Sequence, residues 1–215
     1  MADEQKPEGS EAPAPPVGEG SQTPAKPAAA AKPAPAKPAA APKPPATMAA
    51  TPWESEFASA VKERFGDRVI EASTYLGQDF FVSKLGAAVP LLDYLKMEAD
   101  FDYLVDITAV DWPKRAERFD LVYIVYSFAR NQRVRIKTQI ADGAEAPTAT
   151  GVHRTANWLE REAFDMFGIR FAGHPDLRRI LMPEDWQGHP LRKDYDILKQ
   201  DERWVHENMG IESAQ

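Results

Sequence analysis

The chain has 215 residues and a formal net charge of −7, and all of that charge lies after residue 52, because residues 1–52 carry five lysines against five acids. With no cysteine, the chain excludes disulfides, thiolate zinc sites and any iron–sulfur cluster of its own. No apolar run approaches the roughly 18 residues of a membrane span, and an acidic folded part lacks the electrostatic footprint of a nucleic-acid binder.

Residues 1–52 hold 13 of the 19 prolines and 16 alanines, but no Leu, Ile, Phe, Tyr or Trp. Such a stretch has no large side chain to bury and cannot offset the entropy of ordering itself, so it reads as a disordered tail. Its Ala-Lys-Pro texture at 25–27, 31–33 and 36–38 suggests a semi-rigid linker. No apolar segment follows the start and the tail has no arginine, so it reads as neither a secretory signal nor a transit peptide.

A domain over 53–167 is expected next. Thr51 and Pro52 read as the cap and first position of a helix, with Trp53, Phe57, Ala60, Val61 and Phe65 at helical spacing and Gly66 as its stop. Short strands are expected over 69–72 and 80–83. Pro90 opens a second helix with Leu91, Leu92, Leu95 and Ala99 on one stripe. The period then becomes two, as Phe101, Tyr103, Val105 and Ile107 alternate with Asp102 and Asp106. Residues 121–128 form a continuous apolar run, read as a central strand buried on both faces. A link over 129–132 suits a hairpin, with Asn131 able to take a left-handed conformation. The strand after it alternates Val134, Ile136, Thr138 and Ile140 with Arg133, Arg135 and Lys137, giving one basic face that is either solvated or docks an acidic partner. A third helix spans 155–167 and ends at Gly168. The fold class expected is α+β, a mostly antiparallel sheet with helices packed on one face.

From 168 to the end at 215 the texture is that of an extended C-terminal arm. Three prolines and three glycines punctuate 168–200, yet large side chains recur: Ile169, Phe171, Leu177, Ile180, Leu181, Trp186, Leu191, Tyr195 and Ile197. A linker would not carry these anchors. The segment looks built to lie along a surface, its own or another protein's, with anchors too dispersed to form a core by themselves and Trp186 as the natural hot spot. His174 and His189 each sit in Gly-His-Pro, and with Glu162 they offer a metal-dependent hydrolase as one reading. Neither histidine has a second ligand at helical or i+2 spacing, so a structural role is favoured. Glu160, Arg161, Glu162 and Asp165 pack three acids into one helix. Paired carboxylates can do acid–base work. A charge network with Arg161, Arg178, Arg179, Arg192 and Lys193, including an i,i+4 pair of Arg161 with Asp165, accounts for the same residues without chemistry. No phosphate-binding glycine loop or nucleophile elbow is present.

Glu160-Arg161-Glu162-Ala163-Phe164-Asp165-Met166-Phe167-Gly168, continuing through His174-Pro175-Asp176-Leu177-Arg178-Arg179, Pro183-Glu184-Asp185-Trp186 and His189-Pro190-Leu191-Arg192-Lys193-Asp194-Tyr195, closely resembles the signature of the 30 kDa (C-type) subunit family of respiratory complex I. About forty positions match. Asp196 departs from the pattern, where the family usually places proline, and the tail is extra to it. The resemblance implies a component of the NADH–quinone oxidoreductase that holds no catalytic residue and binds no cofactor. FMN, the Fe–S clusters and quinone belong to other parts of the assembly, which couples electron transfer to proton translocation. It also implies docking on the D-type (49 kDa) subunit and neighbouring quinone-module subunits through the signature residues. The place implied is peripheral, on the cytoplasmic side of the bacterial inner membrane, with no direct insertion. An equivalent component of a membrane-bound hydrogenase or other-donor quinone oxidoreductase carries the same signature and remains open. So does a soluble adaptor unrelated to respiration.

Overall fold

A computed structural model of the chain describes residues 50–196 and 202–210. The tail expected to be disordered lies outside the described residues up to position 49, as does Ile197 of the arm.

The chain enters as a two-residue edge strand, β1 (Thr51–Pro52), pairing antiparallel with β2 (Val69–Tyr75). Thr51 and Pro52 therefore do not start the first helix. Proline lacks an amide donor and suits an edge strand, and the helix instead begins one turn later. Helix α1 (Glu56–Phe65) is capped by Ser55, whose hydroxyl accepts from the Ala58 amide at 3.0 Å. β2 and β3 (Gln78–Ser83) form a hairpin longer than the sequence suggests. Helix α2 (Ala88–Glu98) carries Pro90 in its first turn, where no amide partner is lost. β4 (Tyr103–Asp111), β5 (Phe119–Ser127) and β6 (Gln132–Ile140) follow as an antiparallel run, and Asn131 takes the left-handed conformation expected of the β5–β6 turn.

The six-stranded sheet has the order β1-β2-β3-β6-β5-β4, in which only the β3–β6 pairing is parallel. One face is covered by α1, α2 and α3 (Ala156–Phe167), and its core gathers Val61, Leu91, Leu95, Phe81, Tyr123, Ile136 and Phe167. The α+β fold with helices on one face is thus as the sequence indicates. Two strands differ in detail. A register shift between Leu104 and Asp106 turns β4 over, so that Tyr103 faces outward while Leu104, Ile107 and Ala109 are buried. In β5 the inward residues Leu121, Tyr123 and Val125 are buried, whereas on the other face Val122 is buried, Ile124 and Tyr126 are only half-buried, and Phe128 lies exposed beyond the strand.

Three elements have no periodic signal in the sequence. β7 (Glu145–Pro147) and β8 (Arg170–Ala172) make a small parallel pair, and α4 (Glu202–Met209) lies near the end. The short pair pulls the chain after α3 back onto the domain. Ile169 and Phe171 enter the main core, and Leu177 and Met182 pack against it. Of the anchors in 168–182, Ile169, Phe171 and Leu177 are therefore gathered by the domain itself, while Leu181 stays exposed.

Replacing Ser55 by alanine removes the side-chain acceptor at the start of α1. A loss of about 1 kcal/mol in unfolding free energy is expected from urea denaturation.

Candidate functional site

The residues singled out from the sequence converge on the C-terminal half of α3 and on the chain that lies against it. A helix leaves its last four carbonyls without partners, and here all four are answered. The amide of Gly168 donates to Phe164 O at 2.8 Å and that of Leu191 to Met166 O at 3.0 Å. His189 Nδ1 donates to Asp165 O at 2.9 Å, and the Arg192 guanidinium reaches Phe167 O at 3.4 Å. The segment 188–192 is thus the C-cap of α3, delivered from twenty residues downstream. Gly168 has φ +79°, and a Cβ there would stand 2.7 Å from the His189 ring. Only glycine accommodates both the left-handed turn and the imidazole.

Asp165 is the centre of this arrangement. Its side chain is fully buried, and Oδ2 accepts the successive backbone amides of Ile180, Leu181 and Met182 at 3.0, 2.8 and 2.9 Å. Oδ1 takes Arg179 Nη1 at 2.8 Å. Three consecutive amides on one carboxylate oxygen form an anion nest built from the chain itself. Burial pushes the carboxyl up, but the three amides and Arg179 outweigh it and hold Asp165 below the usual carboxylate range. Arg179 also donates to Gly188 O at 2.9 Å, and Arg161 donates to the carbonyls of Arg178 and Arg179 at 3.1 and 3.3 Å. The i,i+4 pair of Arg161 with Asp165 is not made, because each has a better partner in the arm.

A second knot lies beyond the cap. Arg118 at the start of β5 bridges Asp111 of β4 (2.7 Å), Asp142 (3.1 Å) and Asp194 (2.7 Å). Arg192 pairs with Asp142 and, at 3.4 Å, with Asp194. The amide of Lys193 donates to Asp111 at 2.7 Å. Hydrogen bonding from Arg118 lowers Asp194 to about 2 and Asp111 below its ordinary value. Asp111, Arg118 and Asp142 carry no local signal of this role in the sequence, since their partners in the arm are 50 to 82 residues away.

The remaining candidates are placed as follows. Phe167 packs edge-on against Phe119, with ring centroids 6.3 Å apart. His174 is buried; its Nδ1 accepts from the Asp176 amide at 3.0 Å, which puts the proton on Nε2 toward Asn157 O at 3.1 Å. Asp176 and Arg178 pair at the surface. Tyr195 packs so closely on Gly188 that a Cβ there would meet the ring at 2.8 Å. Trp186 is only 8 % exposed and meets Trp204 edge-on at 5.3 Å, so its ring is already packed within the chain and offers little free surface as a hot spot. Glu162 is exposed. Among the described residues no three of His, Asp or Glu stand together as a metal site. His174 is bound at both ring nitrogens, and the fold does not bring it together with His189 and Glu162 as the hydrolase reading requires.

Glu160 stands apart from its neighbours. It is fully buried, accepting from the Thr148 hydroxyl and the Ala149 amide, both at 2.6 Å, with His174 Nε2 at 4.0 Å. Burial raises its carboxyl to about 7, against the pull of these two donors.

Known proteins resemble this chain in sequence and in fold. Residues 83–201 match the family described as the respiratory-chain NADH dehydrogenase 30 Kd subunit. The C subunit of NADH-quinone oxidoreductase from Geotalea uraniireducens is 44% identical over 138 residues, spanning 64% of this chain and 84% of the relative. The C 2 subunit of the same oxidoreductase from Rhizobium etli is 48% identical over 139 residues, 64% of this chain and 74% of the relative. In structure the chain resembles a component of an archaeal respiratory membrane complex, the membrane-bound sulfane sulfur reductase. That match has a TM-score of 0.60 at 26% identity, over 73% of this chain and 91% of the other.

Asp165→Ala strands three amides and a guanidinium, and a loss of about 3–5 kcal/mol is expected in urea denaturation. The two acids give opposite pH dependences. Asp165, held low when folded, contributes stability at neutral pH that is lost as pH falls through its depressed pKa. Glu160, held high, does the reverse: the native state keeps a proton that the unfolded chain releases above about 4.5, so stability falls between about 4.5 and 7. Glu160→Gln is expected to flatten that decline, gaining on the order of 2–3 kcal/mol over wild type at pH 8 relative to pH 5. Parallel slopes for the two proteins would show that Glu160 does not titrate there.

Proposed function

The chain belongs to the family of the respiratory-chain NADH dehydrogenase 30 kDa subunit, and we propose that it is a non-catalytic, peripheral component that scaffolds the quinone side of the complex by docking on its D-type subunit. In this reading electrons pass from NADH through FMN and iron–sulfur clusters in other subunits to a quinone, coupled to proton translocation, on the cytoplasmic side of the bacterial inner membrane. Among the described residues no helix is long and apolar enough to cross a membrane, so attachment would come through the neighbours.

One observation carries the reading: the charged signature side chains are spent on structure. Arg161, Asp165, Arg179, His189 and Arg192 are each engaged in capping α3 or fastening the arm to it, and Asp194 ties the arm to Arg118 beside β5. A catalytic group needs a partner outside its own fold, and these have theirs inside. The signature residues left at the surface, Glu162, Asp176, Arg178 and Lys193, together with exposed Leu181 and Leu191, are the ones proposed to meet the neighbouring subunit. The buried members shape the surface on which those stand.

The likeness to a component of the sulfane sulfur reductase favours a second reading, a place in a related respiratory complex with another electron donor. Affinity purification of the tagged chain from solubilised membranes separates the two. Under the first reading the recovered assembly reduces a quinone analogue with NADH, and under the second it is inert with NADH. The purified chain alone is expected to show no NADH oxidation and no visible absorbance, and measurable turnover by it would overturn the scaffold reading.

A further inference from the structure

The helices cover one face of the sheet, and the other face carries a charge pattern that the fold does not use. Arg133, Arg135 and Lys137 stand at alternate positions of β6, so their side chains share that open face at intervals of roughly 7 Å. β6 is an inner strand, flanked by β3 and β5. The cross-strand neighbours of the three cations are all apolar or aromatic. Arg133 lies opposite Tyr126, Arg135 between Phe80 and Ile124, and Lys137 between Val82 and Val122. None of these positions holds a carboxylate.

None of the three cations makes an ion pair or a side-chain hydrogen bond with a described residue, in contrast to Arg115, Arg118, Arg179 and Arg192. Arg135 Nε is buried without an acceptor. Lys137 lies over the Phe80 ring, its nitrogen 4.0 Å from the centroid. Burial first, and then repulsion from Arg135, disfavour its charged form. The acids within electrostatic reach of Lys137 are Glu71 and Asp120. Glu71 accepts from Ser73 at 2.5 Å, and Asp120 is taken by Arg115 and Trp112. Arg133 is exposed, but Arg135 and Lys137 are half-buried, and half-buried cations without counter-charges lower the stability of an isolated domain.

We propose that the open face of the sheet is a docking surface for an acidic segment of a partner protein, whose carboxylates align on Arg133, Arg135 and Lys137 while its apolar side chains cover the half-buried Val82, Ile124 and Tyr126, Phe80 and Val122 being already buried within the chain. The apolar frame is what favours a protein segment. A phosphate backbone would meet a domain of net negative charge and leave that frame uncovered. This inference rests on the proposed place of the chain in a membrane complex and names a surface by which it is held there.

The test uses the full tagged chain in its native membranes, with a photo-crosslinking phenylalanine analogue in place of Tyr126, and the double variant Arg135→Met, Lys137→Met. Methionine keeps the apolar stems and removes the charges. The variant is expected to lower recovery of the assembled complex by about tenfold or more, while the thermal midpoint of the isolated chain stays the same or rises. The crosslinked peptide should contain at least two carboxylates within a short span. Wild-type recovery of the variant, or a crosslinked peptide without acids, would overturn the inference and leave the proposed function standing. A lowered thermal midpoint would make the cations structural and overturn it too. Binding of the wild type, but not the variant, to phosphatidylglycerol vesicles would assign the face to lipid instead. Recovery of the wild-type chain by itself would sink the proposed function, and this inference with it.

Discussion

The architecture of the C-terminal third depends on one buried carboxylate. Asp165 lies in the last turn of α3, where the helix dipole disfavours negative charge, and it is buried as well. Both costs are met by four donors, three of them consecutive backbone amides that only a proline substitution could remove. The consequence is geometric: fixing 180–182 against the helix sets where 183–188 must turn, and so brings His189, Leu191 and Arg192 to the open carbonyls of α3. An irregular segment without ladder bonds of its own thereby acquires one conformation. The segment of chain that looks most like a loose arm is among the most constrained.

The charges of the domain sort into two populations with different physics. Arg118 and Arg192 with Asp111, Asp142 and Asp194 form a network in which every member has a counter-charge and several have two. Such a cluster fixes the register of segments distant in sequence, which isolated surface pairs such as Lys84 with Asp67 do not. The row of cations on β6 is the opposite case, charge held in an apolar frame without compensation. Placed side by side, the two separate what the chain needs for its own fold from what it holds ready for another surface.

Glu160 adds a constraint of a third kind. Its two donors are a hydroxyl and a single amide, and among the described residues the basic side chain facing it is His174, at 4.0 Å. Asp165, five residues on in the same helix, has four donors including a guanidinium. Two buried acids of one helix thus titrate in opposite directions, and the difference is set by how many donors reach each of them.

Local periodicity, turn chemistry and contiguous residue identity were enough to specify the α+β class, the helix-covered face, the Asn131 turn, the Gly168 helix stop and the family signature. The balance of acids and arginines in that signature also pointed to pairing rather than chemistry. Which pairs form is a property of the folded chain. Arg161 leaves Asp165 for backbone carbonyls seventeen residues away, and Arg118 reaches Asp194 across 76 positions. Folding likewise placed Thr51 and Pro52 in an edge strand, turned β4 over at a bulge and made the arm into a helix cap. Each of these outcomes depends on a partner remote in sequence, and periodicity carries no information about which remote amide or carboxylate a side chain will meet.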